Sequence, residues 1–343
     1  MTPSTERNSI ATSLRMMHSF RGQGSAMSLS PGLKKSDRRH PTMAFSQPPS
    51  IGPSLVRHRV RPELTGLVAG IVGHREQASQ PVTRRQVAGS LMPLVLSSGP
   101  TLDVVHLSHG AGEGRHDSFV AGLMPGWATT SFSQVQLSVQ IYLTPLGILR
   151  LLGLPGRELA SSVVSLAEAA PAFNQDFLEQ LWDRPTWGKR FELVDRKLLS
   201  LLSGGLSPDP SVAWMWRQIQ GAGGRARIGD LIEQTGWSER HATSRFTAQI
   251  GLGPKAASRI VRFENALRAL RKLPAARVAA EFGFADQSHL VREVHRFAGV
   301  APTDLLREDP PTAHSAIGSG SERLPPGQDQ SPVRPRRDLS PQG

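Results

Sequence analysis

None of the chain's 343 residues is cysteine, and that absence excludes a good deal. No disulfide framework, thiolate zinc or iron–sulfur site, or cysteine nucleophile can be built from this sequence. Nor does any stretch approach the roughly 18 uninterrupted apolar residues of a membrane span, and the N-terminus lacks the compact apolar core of a secretory signal. There is no nucleophile elbow, phosphate-binding loop or dinucleotide fingerprint, and the glycines at residues 110–114 form too short a cluster to cradle phosphate. These absences leave a soluble intracellular protein, long enough at roughly 100 to 200 residues per domain for two cores.

The charge balance is 40 Lys and Arg against 28 Asp and Glu, a formal +12. Such an excess suggests a polyanionic partner, but it is unevenly spread: residues 1–62 carry +8, 63–210 carry −2, 211–309 carry +5 and 310–343 carry +1. The first and last of these segments also hold 14 of the 27 prolines, among Ser, Gly, Gln and Arg. That composition cannot bury enough apolar surface to offset the entropy of ordering, so residues 1–62 and 310–343 read as disordered tails. The first tail is Arg- and Ser-rich and acid-poor, superficially like a transit peptide. An over-extended start is the stronger expectation, with Met27 or Met43 as the true first residue.

From residue 62 to 143 the pattern predicts strands over residues 64–72, 86–96, 102–107, 118–123 and 131–143. The last alternates well, with Val135, Leu137, Val139 and Ile141 on one face and Gln134, Gln136, Ser138 and Gln140 on the other. An antiparallel sheet or small barrel follows. After Pro145 helical spacing takes over, in Leu146, Leu149 and Leu152, then in residues 173–182, 187–202 and 212–219. Residues 203–210 are a short Gly/Pro/Ser linker, which places a domain boundary near residue 210.

Beyond it lies a repeat. Advancing 48 residues carries Ser238 onto Asp286, His241 onto His289, Ala242 onto Leu290, Phe246 onto Val294, Gly251 onto Gly299 and Pro254 onto Pro302. Each copy reads as helix, glycine turn, helix. In the first, Ile228, Leu231, Ile232 and Thr235 form an apolar stripe that stops at Gly236, and Ser238 is the N-cap of the next helix. That helix buries Ala242, Phe246 and Ile250 and leaves Arg240, Thr243 and Ser244 outside. The second copy turns at Gly283, caps with Asp286, hides Leu290, Val294 and Phe297, and presents Ser288, His289, Arg292 and Arg296. Residues 254–273 form one helix between the copies, about 30 Å long at 1.5 Å per residue. Lys255, Arg259 and Arg262 share one of its faces.

On these residues, residues 213–309 resemble the DNA-binding domain of the AraC family of bacterial transcription regulators. The matching stretches are Gly251-Leu252-Gly253-Pro254-Lys255, Arg262-Phe263-Glu264-Asn265-Ala266, Gly283-Phe284-Ala285-Asp286-Gln287-Ser288-His289-Leu290 and Phe297-Ala298-Gly299-Val300-Ala301-Pro302. The resemblance implies two helix-turn-helix units joined by a long helix, with recognition helices in successive major grooves. Arg240, Thr243, Ser244, Ser288, His289 and Arg292 then fall on base-reading positions. Arg245, Lys255, Arg259, Arg262 and Arg296 would meet phosphate. Val294 stands where the family usually has an aromatic residue.

The strand-rich half, with Leu151-Leu152-Gly153-Leu154-Pro155 and Glu158-Leu159 after it, resembles a poorly characterised N-terminal domain of one actinobacterial-type branch of AraC-like regulators. In the wider family such a domain, often cupin-like, senses an effector or mediates dimerisation. The absence of cysteine excludes the variant of this architecture that carries out DNA-alkyl transfer.

The fold class is therefore α+β. It comprises a basic tail (residues 1–62), a strand-rich sensor or dimerisation domain with following helices (63–205), an all-helical double helix-turn-helix domain (211–309) and a second tail (310–343). The expected function is sequence-specific transcription regulation in the cytoplasm, at the nucleoid, without enzyme activity, cofactor, metal or membrane partner. The partners are double-stranded promoter DNA, an effector of unknown identity, RNA polymerase and a second copy of the chain. The rival is a cupin-type metalloenzyme with an accessory DNA-binding tail, prompted by His106, His109, Glu113 and His116. Their irregular spacing favours a polar hairpin loop instead.

Overall fold

The computed structural model describes residues 51–308. The strands are β1 (Ile51–His58), β2 (Val68–Gln86), β3 (Met92–Ser98), β4 (Leu102–Leu107), β5 (Gly114–His116), β6 (Phe119–Ala121), β7 (Ala128–Leu143) and β8 (Val163–Ser165). They form one antiparallel sheet in the order β1-β2-β7-β3-β6-β8. On the edge opposite β2, β7 pairs with β3 over residues 137–143 and with β4 over residues 128–131.

The central pair is β2 with β7, paired from Val68 opposite Leu143 to Gln86 opposite Ala128, with slips between Val68 and Gly70 and between Ala78 and Val82. Pro81, which has no amide to donate, lies inside the second slip, where the ladder asks nothing of it. The sequence pattern predicts strands over residues 64–72 and 86–96, where the structure has β2 running on to Gln86 and β3 starting at Met92. The single 19-residue strand escapes notice because Arg75, Glu76, Arg84 and Arg85 interrupt its apolar run.

Both faces of the pair are covered. On one, Ile71, Leu94, Leu96, Val139 and Ile141 join a core with Leu146, Phe173, Phe191, Leu198 and Trp216. Gly73 lies on this face because a Cβ there would sit 2.5 Å from the Trp187 ring. On the other face, His74, Gln136, Gln140 and Tyr142 stand on the wall of a cavity of about 730 Å³. The polar half of the β7 alternation, which an open sheet would give to water, is turned into this cavity.

One expectation needs correcting. Residues 51–58 fall in the stretch read as a disordered tail, yet they form β1, paired from Leu55 opposite His74 to His58 opposite Ile71. Its end is fixed: His58 Nε2 and Arg61 Nε each lie 2.9 Å from Asp195 Oδ2, and the His58 ring stacks on Phe191. Residues 1–50 and 309–343 lie outside the described residues, and with them Met27, Met43 and most of both expected tails.

After the sheet come α1 (Gln175–Trp182), α2 (Trp187–Leu201) and α3 (Pro210–Gly221). Asn174, Thr186 and Asp209 cap them, each side chain accepting a first-turn amide. The helical half continues with α4 (Ile228–Thr235), α5 (Glu239–Ile250), α6 (Pro254–Leu270), α7 (Ala275–Glu281), α8 (Gln287–Ala298) and α9 (Pro302–Arg307). The apolar core runs on past residues 203–210, taking in Trp216, Phe246, Ile250 and Val261. A second cluster holds Phe263, Leu290, Val294 and Phe297, together with Ala88 from the loop after β2.

That loop is tied down. Ala88 N donates to Phe297 O at 2.9 Å and Ser90 N to Glu264 Oε1 at 2.9 Å, while Arg85 donates to Ala298 O and pairs with Glu308. Gly299, with φ of +76°, abuts Trp127, and a Cβ there would lie 2.4 Å from the indole.

His74 gives the cavity wall a pH signature. Burial, and secondarily the charge of Arg84, lowers its pKa from 6.5 to about 4. The unfolded ring takes up a proton below its ordinary value, and the folded one refuses it until about pH 4. This contribution to stability is complete above the ordinary value and is lost as pH falls to about 4, amounting to about 3 kcal/mol. Denaturant unfolding across that window should show the slope in the wild type and lose it in His74→Gln. Equal slopes would contradict the assignment.

Candidate nucleic-acid interface

The two units repeat in geometry as well as in sequence. Helix α4 stops at Gly236 in the left-handed conformation, and Ser238 Oγ accepts the His241 amide at 3.3 Å to open α5. Asp286 Oδ1 accepts the His289 amide at 2.6 Å to open α8. The ring before each cap meets the histidine edge-on: Trp237 with His241 at 4.9 Å, Phe284 with His289 at 5.4 Å. Ala242, Phe246 and Ile250 are buried under α5, as are Leu290, Val294 and Phe297 under α8. Between the units α6 ends at Leu270, three residues short of the expected Leu273, so it spans about 25 Å. Pro274 disfavours helical backbone in the residue before it, which accounts for the early stop.

The outward residues fall into two groups. Arg240, Thr243 and Ser244 are exposed and line one shallow concavity with Glu239, Thr247 and Arg157. Ser288 and Arg292 are exposed on α8, whereas His289 is half-buried and its Nδ1 accepts the Ala285 amide at 3.3 Å. The histidine thus holds the helix start together.

Lys255, Arg259 and Arg262 share a second concavity with Arg225, but the charges of Arg259 and Arg262 are already engaged. Arg259 grips the buried carboxylate of Glu293 on α8 with two hydrogen bonds, Nε to Oε2 at 3.1 Å and Nη2 to Oε1. Arg262 donates to Gly283 O and lies 4.7 Å over the Phe284 ring, with burial lowering its pKa. Lys255 is 3.5 Å from Glu239. Arg245 Nη2 donates to Asp209 Oδ2 at 2.9 Å. Burial would raise the Asp209 carboxyl, but Arg245 and the amides of Ser211 and Val212 outweigh it and hold the carboxyl below its ordinary value. By contrast, no carboxylate among the described residues lies within ion-pairing distance of Arg240, Arg292, Arg296 or Arg157. Arg296 is exposed beside Phe297.

Arg157 is a residue that the sequence pattern does not single out. It sits on a one-turn helix, Gly156–Leu159, in the strand-rich half of the chain, and nothing local marks it. Only the packing of that turn against the end of α5 brings it to the concavity that Arg240 also lines.

The histidines of the β4–β5 hairpin do not converge. His106 Nδ1 lies 3.3 Å from Glu113 Oε1, His116 Nε2 bonds Gly112 O at 2.8 Å, and His109 Nδ1 lies 3.2 Å from Ser108 Oγ. Among the described residues no group of three His, Cys, Asp or Glu could hold a metal ion. No helix there is long and apolar enough to cross a membrane.

Residues 231–308 match a family model described as a helix-turn-helix domain. No curated protein matches the chain. Among solved structures it is similar to ToxT from Vibrio cholerae O395, at 12% identity over 69% of this chain and 96% of that one, TM-score 0.41. It is also similar to the C-terminal domain of AraT, a response regulator from Geobacillus stearothermophilus, at 18% identity over 31% and 90%, TM-score 0.28. A third is the AraC-like transcriptional activator CuxR, at 10% identity over 78% and 87%, TM-score 0.27.

The Arg259–Glu293 pair makes a stability prediction. Arg259→Ala leaves a buried carboxylate unpaired and should cost about 2 kcal/mol or more, because the pair's desolvation is then uncompensated. The double variant Arg259→Met with Glu293→Leu should recover most of the loss. A change within about 0.5 kcal/mol for the single variant, by denaturant unfolding of the full chain, would show the pair to be inert.

Proposed function

We propose that this chain, whose residues 231–308 form an AraC-type helix-turn-helix domain, is a transcription regulator that reads specific promoter sites through α5 and α8 in successive major grooves. The observation that carries the reading is the duplicated unit. Two capped helices, each with one buried face, present Arg240, Thr243 and Ser244 in one copy and Ser288 and Arg292 in the other. An unpaired arginine on such a face can donate two hydrogen bonds to guanine in the major groove.

The engaged cations have a different part. Arg259 and Arg262 brace α8 from the linker helix, and Arg245 braces α5 against the Asp209 cap. Phosphate contact then falls mainly to Arg296, Lys255 and Arg157. The last joins the strand-rich half directly to the DNA surface.

Effector control belongs to the same reading. The cavity rim includes Leu267, Arg271, Leu305 and Glu308 from the helical half, so a bound molecule would touch both halves at once. Such a ligand can change DNA affinity only through different affinities for the two arrangements.

Arg292→Ala should relax preference at one base position, by about 1 to 3 kcal/mol of discrimination. Arg157→Ala should weaken matched and mutated sites alike and lower the salt slope by about one. Binding titrations of the full chain on matched and single-base-changed sites, across a salt series, separate the two. If Arg292→Ala keeps wild-type affinity and wild-type discrimination on both sites, the base-reading assignment fails.

A further inference from the structure

We propose that the cavity between the sheet and the helical half is built for an uncharged amphiphile bearing a hydroxyl or amide group, and that it discriminates against carboxylates. The proposal rests on the effector reading above and specifies its ligand class.

The cavity, about 730 Å³, has one apolar side that includes Val95, Val104 and Phe119 and one polar side on β2 and β7. The polar side is rich in hydrogen-bonding groups but has no spare charge. Arg84 Nη2 is bound to Glu76 Oε1 at 2.5 Å, and Glu76 is itself buried. Arg85, nearer the mouth, is matched by Glu308. His74 is held neutral by burial at physiological pH. Tyr142 keeps its proton, because burial raises its pKa, and donates it to Gln140 Oε1 at 2.8 Å. A carboxylate entering this space would give up its hydration and find every interior cation already taken, which makes its burial unfavourable.

Hydrogen-bonding capacity is nevertheless left over. His74 Nδ1 and Arg84 Nε are buried with no hydrogen-bond partner among the described residues. His74 Nε2 faces Glu76 Oε2 at 3.5 Å without a hydrogen bond, and that oxygen is likewise buried with no hydrogen-bond partner among the described residues, so the leftover groups include both a donor, Arg84 Nε, and an acceptor, Glu76 Oε2. A group that both donates and accepts, as a hydroxyl or amide does, suits such a wall, and an alkyl or aromatic body suits the other. The remaining cation on the lining is Arg271, exposed at the rim on the turn after α6. A carboxylate paired with it would stay in water.

The test compares nonan-1-ol with nonanoate by calorimetry on the full chain at neutral pH, with operator binding measured on the same samples. The alcohol should bind at least about tenfold more tightly than the carboxylate, the uncompensated charge being the difference. Glu76→Gln leaves Arg84 without its counter-charge and should move the ratio by at least about tenfold toward nonanoate. Should that variant fail to fold, Arg271→Ala decides alone: the wild-type preference for the alcohol must survive it. Tighter binding of nonanoate than of the alcohol, by the wild type or by Arg271→Ala, would place a carboxylate inside the cavity and overturn the proposal. If neither probe binds, the proposal falls, and operator binding reports separately on the DNA reading.

Discussion

The antiparallel pairing of β2 with β7 governs where everything else in the described chain can lie. Its two faces have opposite duties, one sealing the helix core through Ile71, Val139 and Ile141, the other facing the cavity with His74, Gln136 and Gln140. A slip of one residue would exchange them. The same strands end in the groups that hold the helical half: Arg85 and Ala88 reach Phe297, Ala298 and Glu308, and Trp127 just before β7 packs on Gly299. The sheet therefore shapes the cavity and also anchors the second helix-turn-helix unit.

Charge in the helical half divides by what each arginine meets. Arg245, Arg259 and Arg262 are used inside the protein, against Asp209, Glu293 and the Phe284 ring. Arg240 and Arg292 face outward without a carboxylate partner among the described residues. A net +5 over residues 211–309 is thus a poor measure of the charge on offer to a polyanion. Position on a braced helix decides which cations remain available.

The helical half was legible in the sequence because its signals are local. A glycine stop, a capping Ser238 or Asp286, and an apolar stripe lie within a dozen residues of one another, and the 48-residue repeat supplies each signal twice. The strand-rich half was legible only in outline. β1 lies in Pro- and Arg-rich sequence and exists because β2, with partners running from Ile71 opposite His58 to Gln77 opposite Ile51, offers it a paired edge. The alternation of β7 was plain, but nothing in Gln136 or Gln140 says that their face closes over a cavity. Arg157 on the concavity that Arg240 lines, and Arg259 against Glu293, are meetings of distant segments, and neither partner carries a mark that predicts the other.

The central claim, two recognition helices read together from one braced scaffold, is tested most directly by a hydroxyl-radical footprint of the full chain on a site selected from random DNA. Two protected patches are expected on one face of the duplex, about one helical turn or roughly 34 Å apart. A single protected patch, or protection that does not depend on sequence, would contradict it.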